Sequence, residues 1–184
     1  MLDLSKAKLP DTVEVDGNFY AIHTDFRFWI NFSRLIKNQN CTLGEFDFIY
    51  CDEKPFDRKK GFVALMEFYS PKKELPRALG NQTNKTLLDY DIDSELIYSS
   101  FYQQYKIDLF DEKLRLHWHK FLALMDGIRE TKLTDVIGYR SYVKSSKKYE
   151  QTMAELQHSW EITTEMTLTD EEKKAIEDFD KLLK

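Results

Sequence analysis

Residues 114–128 read LRLHWHKFLALMDGI, and their hydrophobic pattern decides the predicted fold. Six apolar residues recur there at steps of three and four: Leu114, Trp118, Phe121, Leu122, Met125 and Ile128. This spacing places them on one face of a helix. Leu116, Ala123 and Leu124 add a second, narrower apolar side. Because a helix that is apolar on more than one side is usually packed between neighbours, we predict a central helix here with Trp118 buried.

Apolar residues at helical spacing predict five further helices before and after the central one. They cover about residues 25–37, 57–69, 93–105, 133–143 and 149–160. Thr24 or Asp25 can cap the first of these helices, because a short oxygen side chain accepts hydrogen bonds from free first-turn amides. Asp93 is predicted to cap the third, with Ile92 and Ile97 forming a hydrophobic staple across its start.

The N-terminal part carries the clearest strand signal. Residues 12–22 read TVEVDGNFYAI, two β-prone runs around Asp16-Gly17, which predicts a tight hairpin with a primed turn. The hairpin is either a small structural ribbon or an edge for partner strands. Residues 45–50, EFDFIY, fit a short strand or a helical turn equally well. Residues 71–88 predict a long loop, and loops of this length are usually functional or disordered.

Together these elements predict a mainly α fold, a multi-helix, bundle-like single domain with a short N-terminal β-hairpin. We assign residues 1–162 to this helical domain, with the hairpin at about residues 12–22. Residues 163–184 are predicted to form a linker and a loosely docked C-terminal helix. The apolar stripe of that helix is thin, since it consists of Ile176, Phe179 and Leu183.

Bulk composition excludes several classes of protein. The 184 residues include 27 Lys and Arg and 32 Asp and Glu, a formal net charge of −5, which lacks the basic footprint of a nucleic-acid binder. No run of 18 apolar residues is present, so no membrane span is expected. The first ten residues, MLDLSKAKLP, lack the pattern of a secretory signal, and we expect a cytosolic protein. Cys41 and Cys51 are expected to be reduced thiols.

No stretch of the chain carries a catalytic, cofactor or metal signature. His117 and His119 stand two residues apart, and on a helix such side chains point away from each other, so we predict no metal site there. Asp89, Asp91 and Asp93 alternate as in a calcium loop, but the loop glycine and the closing acid are missing. Helix capping explains these aspartates better. We therefore predict no catalytic residue, no cofactor and no metal.

Arg27, and separately a cluster of basic residues near Arg140, each have alternative interpretations. Arg27 lies in a first helical turn, where a cation opposes the helix dipole, so we predict an ion pair, with Asp25 or with an acid from another helix. It could instead bind a ligand carboxylate. Arg140 and three lysines form a modest basic patch that favours an acidic protein surface over nucleic acid. The lysines are Lys144, Lys147 and Lys148.

The helix predicted over residues 93–105 has two apolar stripes. Ile97 and Phe101 are the stripe expected to face the core. Tyr98 and Tyr102 keep a polar tip, so they can lie at a surface and still offer a large apolar area to a partner. Our hypothesis is that Tyr98 and Tyr102 bind a partner. The alternative is that they pack beneath the loop of residues 71–88.

Four stretches in combination resemble one protein family. They are TDFRFW (24–29) after the hairpin, IDSELIYSSFYQQYKIDL (92–109), LHWHKFLALMDGI (116–128) and VIGYR (136–140). They are similar to the phage family known as gene product fifteen, small tail-region proteins of siphophages and of prophages in Gram-positive bacteria. The resemblance covers roughly residues 9–141, and the segment after residue 145 departs from it.

The resemblance implies a function that the motifs do not. Members of this family lie near the tape-measure gene and are similar to tail assembly chaperones, which keep the helical tape-measure protein soluble while tube subunits polymerise around it. We therefore expect a non-enzymatic chaperone in the cytoplasm of the bacterial host. Its expected partners are the tape-measure protein and, as further candidates, the tail tube protein and a second copy of the same chain in a homo-oligomer. The alternative is a structural tail component retained in the virion.

Overall fold

The computed structural model describes residues 3–38, 40–71, 86–142 and 150–162. In these ranges the chain is mainly α-helical with one antiparallel two-stranded hairpin, which confirms the predicted fold class. The elements in chain order are β1 (Thr12–Val15), β2 (Asn18–Ala21), α1 (Phe26–Lys37), a 3-10 helix (Leu43–Ile49), α2 (Arg58–Tyr69), α3 (Ser94–Tyr105), α4 (Trp118–Gly127), α5 (Lys132–Arg140) and α6 (Glu150–Ser159).

The hairpin forms as its turn residues predict. Asp16 and Gly17 both have positive φ, 52° and 81°, the left-handed geometry that a primed turn needs. Val13 and Val15 are buried on the side of β1 that packs on α2. Phe19 lies on the opposite, outer face of the hairpin and is exposed. The hairpin therefore covers one end of the helical core.

Local capping explains where the first helices begin. The carboxylate of Asp25 accepts a hydrogen bond from the amide of Arg27 at the start of α1, as predicted. Thr42 and Glu45 form a capping box ahead of the 3-10 helix, since Oε1 of Glu45 accepts from the Thr42 amide at 2.9 Å. Residues 45–49 therefore belong to a 3-10 helix and not to a strand, and Tyr50 follows as its extended C-cap.

The core is built largely from aromatic rings. Its fully buried members are Trp29, Trp118, Phe32, Phe101 and Phe121. Trp118 lies at the centre, 5.5 Å from Phe121 and 6.3 Å from Trp29 between ring centroids. Both indole N–H groups donate to backbone carbonyls, Trp29 to His23 and Trp118 to Tyr69, each at 2.8 Å. Burial of these polar atoms is thus compensated, and the predicted central position of Trp118 is confirmed.

The central helix is shorter than predicted. It begins at Trp118, and residues 114–117 are extended beside the start of α1, where the Phe26 amide donates to the Leu116 carbonyl at 2.9 Å. Leu114, Leu116 and Trp118 also alternate with polar residues, which is the two-residue period of an extended chain. The two periodicities share these residues, and tertiary contacts with α1 select the extended form.

Arg140 does not belong to a basic surface patch, and Asp93 does not cap α3. The two side chains form a buried, two-point ion pair at 2.7 and 2.8 Å, and each is less than 5% exposed. Asp93 precedes α3 but makes no side-chain cap, because its carboxylate is bound to Arg140. Ile92 is exposed, so the predicted staple with Ile97 is also wrong.

Several predictions concern residues outside the described ranges. They are most of the 71–88 loop, the three lysines of the basic patch, and the C-terminal helix in residues 163–184. The helix predicted to continue to residue 143 instead ends at Arg140, with Ser141 as its C-cap.

Candidate partner-binding surface

The two central histidines lie close together, contrary to the prediction. His117 precedes α4 as its N-cap, so the helical argument that separated it from His119 does not apply, and the ring centroids are 5.2 Å apart. The His119 amide donates to Nδ1 of His117, and the Nε2–H of His117 donates to the Pro10 carbonyl at 3.0 Å. The contact with the His119 amide requires an unprotonated Nδ1, whereas the Pro10 carbonyl holds the proton on Nε2.

His119 is the more enclosed of the two histidines. It is buried, its Nε2 lies 2.9 Å from the carbonyl oxygen of Phe68, and its Nδ1 has no hydrogen-bond partner. Burial lowers the pKa of both His117 and His119 below the ordinary histidine value. In the part of the chain that the structure describes, no three His, Cys, Asp or Glu side chains gather as a metal site requires.

The aspartates of residues 89–93 bind cations from other elements. The pairs are Asp89 with Lys37 at 2.7 Å, Asp91 with Arg34 at 2.6 Å, and Asp93 with Arg140. Asp89 also accepts hydrogen bonds from the amides of Asp91 and Ile92, so it stabilises the turn before α3, and no aspartate side chain of this group caps α3 as predicted. These contacts tie the segment before α3 to α1 and α5.

Arg27 makes the structural ion pair predicted for it and also binds a distant segment. Its guanidinium lies 3.4 Å from Asp25 and donates to the carbonyl oxygens of Leu109 and Asp111 at 2.9 Å and of Leu114 at 3.2 Å. Residues 106–117, which we call the lip segment, connect α3 to α4. Arg27 therefore fixes the path of the lip segment through its backbone.

The two tyrosines of the binding hypothesis are neighbours on the surface of α3. The inward stripe of Ile97 and Phe101 is buried, as predicted. Tyr102 is 53% exposed and Tyr98 is half-buried, and their ring centroids are 6.2 Å apart. Tyr98 also lies 5.2 Å from the ring of Phe110, which is 78% exposed. The structure thus places Tyr98, Tyr102 and Phe110 together as one surface aromatic cluster.

A cleft of about 320 Å³ lies beside this cluster. We call it the α3 cleft. Its walls are formed by α1, by the first turns of α3 and by the lip segment. Its buried apolar floor consists of Phe26, Ile97 and Phe121, and Tyr98 and Phe110 stand at its edge. A volume above about 300 Å³ with mostly apolar walls is typical of a binding pocket.

Charge is distributed unevenly around the α3 cleft. The α1 wall carries Arg27 and Arg34, and the Arg34 side chain is 55% exposed. Asp91 holds the pKa of the Arg34 guanidinium above its ordinary value through their hydrogen bond. Tyr90 is enclosed at the same site, and burial raises the pKa of its hydroxyl. The cleft is therefore an apolar site with two ion-paired arginines on its α1 wall.

Sequence reasoning found the tyrosines but missed the lip segment. Phe110 stands in the sequence Asp-Leu-Phe-Asp-Glu, whose acids favour exposure of the segment to water. That pattern is a usable signal for a protruding contact residue. The cleft itself has no local signal, because α1, α3 and the lip segment are far apart in the sequence.

Comparison with known proteins gives one match. The family model described as Bacteriophage Gp15 protein matches residues 6–162, which include every element described above. Searches of curated proteins and of solved structures gave no match. Among the described helices, none has the length and apolar character that crossing a membrane requires. The match covers most of the chain, and the chain therefore belongs to the Bacteriophage Gp15 protein family.

Proposed function

We propose that this protein is a non-enzymatic tail assembly chaperone that binds the tape-measure protein through the surface aromatic cluster. Membership of the phage family supports a structural or assembly-related role. The observation that carries the finer proposal is the exposure of Tyr102 and Phe110 beside the apolar α3 cleft. An apolar groove of this kind suits an amphipathic helix, which inserts side chains spaced three and four residues apart.

The chemistry of the cluster fits reversible binding of an apolar helix. Tyrosine offers a large contact area at low entropic cost and keeps its hydroxyl hydrated when no partner is bound. A permanently exposed patch of leucine or isoleucine would instead promote self-aggregation. Assistance to tail tube assembly follows if the protein releases its client as tube subunits arrive.

The first test is co-expression of the chain with the tape-measure protein of the same phage, followed by capture of the complex. The double variant Tyr98→Ser, Tyr102→Ser is expected to reduce capture at least about tenfold, since tyrosines that become buried on binding are frequent hot spots. Its thermal transition should move little because both tyrosines are at the surface. The control is Phe19→Ser, which removes an exposed aromatic from the hairpin and should leave capture unchanged.

Two outcomes would contradict the proposal. Normal capture by the folded double variant would exclude the tyrosines as the contact. A fall in stability of several kcal/mol with normal binding would make them core residues. The composition of purified virions separates the chaperone from the alternative, a tail component retained in the particle. A chaperone should be absent from finished particles, and its stoichiometric presence would favour the alternative.

A further inference from the structure

Phe110 both lines the α3 cleft and protrudes beside it. It is 78% exposed, while the floor next to it is buried and apolar. Phenylalanine is among the residues most often buried, so this exposure needs a reason. A protruding side chain and an open cleft on one face are the two halves of a self-complementary surface. Such a surface is what a two-fold symmetric dimer requires, because the same patch must serve on both subunits.

The charges on this face are complementary in the same sense. The tip of the lip segment, residues 108–112, places Phe110 among three acids and no cation, Asp108, Asp111 and Glu112. The opposite wall of the cleft carries Arg34, which is more than half exposed. When the Phe110 of one chain enters the cleft of another, these acids approach the arginine. The pair that Arg34 makes with Asp91 is at the surface and weak enough to be exchanged.

The lip segment presents Phe110 in a fixed position. Arg27 binds the carbonyl oxygens on both sides of Phe110, those of Leu109 and Asp111, each at 2.9 Å. The carboxylate of Asp108 accepts a hydrogen bond from the Phe110 amide at 2.9 Å. Ordering of the contact residue is therefore completed before any partner arrives, which lowers the entropic cost of association.

We infer that two copies of this chain form a symmetric dimer in which Phe110 of each copy enters the α3 cleft of the other. The dimer requires no client and does not depend on the proposed chaperone function. It does use the same face as the proposed client site, so a client helix and a second copy compete for the cleft.

The test is sedimentation equilibrium of the full chain alone over a wide range of concentrations. We expect a monomer–dimer equilibrium in which Phe110→Ser weakens association at least about 900-fold, because both symmetric contacts lose a hot-spot side chain worth about 30-fold each. The matched control is Phe56→Ser, which removes a phenylalanine that is 104% exposed and lies outside the cleft. This control should dimerise like the unmodified chain.

A second variant blocks the cleft without touching the protruding side chain. Ser94 is exposed at the start of α3 and borders the cleft, so Ser94→Trp should occupy the space that Phe110 of the partner needs. Alone, this variant should also be monomeric. Mixed with Phe110→Ser, it should form a heterodimer, because one chain then supplies the phenylalanine and the other the open cleft.

Three results would overturn the inference. They are a full chain that is monomeric at all concentrations, a Phe110→Ser variant that dimerises normally, and a mixture of the two variants that forms no heterodimer. A monomeric full chain would show that a second copy does not occupy the cleft. Because no client is present, none of these results bears on the chaperone proposal.

Discussion

The aromatic core around Trp118 and the surface aromatic cluster of Tyr98, Tyr102 and Phe110 contain similar rings in opposite surroundings. In the core, rings stack and the indole N–H groups bind backbone carbonyls. In the cluster, rings also lie within about 6 Å of each other, but one side faces water. Ring stacking is therefore common to both regions, and what separates them is whether a second layer of protein covers the rings. The core is complete within this chain, whereas the cluster leaves apolar area for a second molecule.

The largest expected effect lies in the core. Trp118→Ala removes a side chain that is 1% exposed and that stacks on Phe121 and Tyr69. We expect a loss of roughly 3–5 kcal/mol in the free energy of unfolding, from lost burial and a cavity. Denaturant melts measure this loss, with Phe110→Ser as the matched deletion from the surface cluster and an expected change below about 0.5 kcal/mol.

These two deletions test the comparison directly. A loss below about 1 kcal/mol for Trp118→Ala would show that the core tolerates removal of this ring as well as the surface aromatic cluster does, which would contradict the comparison. A loss of several kcal/mol for Phe110→Ser would place that ring in the core of the isolated chain.

The next largest effect concerns two glycines in helices. A Cβ at Gly61 would lie 2.6 Å from the Pro55 ring, so Gly61→Ala forces the packing of α2 apart and should cost about 1–3 kcal/mol. A Cβ at Gly138 in α5 meets nothing within 4 Å, so Gly138→Ala should stabilise the protein by about 0.5–1 kcal/mol. If packing decides, thermal melts should show a lower melting temperature for Gly61→Ala and a higher one for Gly138→Ala. Shifts of the same sign in both variants would contradict this account.

The smallest of these effects is a dependence of stability on pH. His117 and His119 have lowered pKa values in the folded chain, so the unfolded chain binds protons first as the pH falls below 6.5. Stability should be fully present above pH 6.5 and decline below it. His119→Gln keeps a hydrogen-bond donor for the Phe68 carbonyl but cannot be protonated, so it should flatten this decline.

The matched control for this dependence is the exposed His158, outside the core. Denaturant midpoints of both glutamine variants are measured at pH 7.5 and pH 5.5, about one unit either side of the ordinary histidine pKa. An equal slope in His158→Gln and the unmodified chain, with a flatter slope in His119→Gln, is the expected result. If His119→Gln leaves the change of the denaturant midpoint with pH unaltered, His119 does not cause the loss of stability at low pH.

Local signals predicted the features that depend on local chemistry. Asp16-Gly17 predicted the hairpin, and Asp25 predicted the start of α1, because turns and caps are decided within a few residues. The predicted start of α4 was wrong because Leu114 and Leu116 fit both a helical and an alternating period. Such a choice is made by tertiary contacts, here the backbone bond between Phe26 and Leu116.

Features that depend on distant pairs could not be predicted. Arg140 reads as a surface cation until Asp93, 47 positions earlier, is seen to pair with it in the interior. The α3 cleft likewise exists only when α1, α3 and the lip segment meet. The sequence did indicate the polar-tipped stripe of Tyr98 and Tyr102, since that stripe belongs to a single helix. Whether the tyrosines bind a partner stays a prediction.

The way Arg27 holds the lip segment has a consequence for protein engineering. Its guanidinium contacts the backbone carbonyls of Leu109, Asp111 and Leu114 rather than their side chains. Recognition of this kind is insensitive to which amino acids the loop carries. New contact residues could therefore be placed at the exposed positions 110 and 112, while Arg27, the buried Leu109 and the Asp108 carboxylate keep the path of the loop. Among relatives, the same tolerance would let specificity diverge without a change of fold.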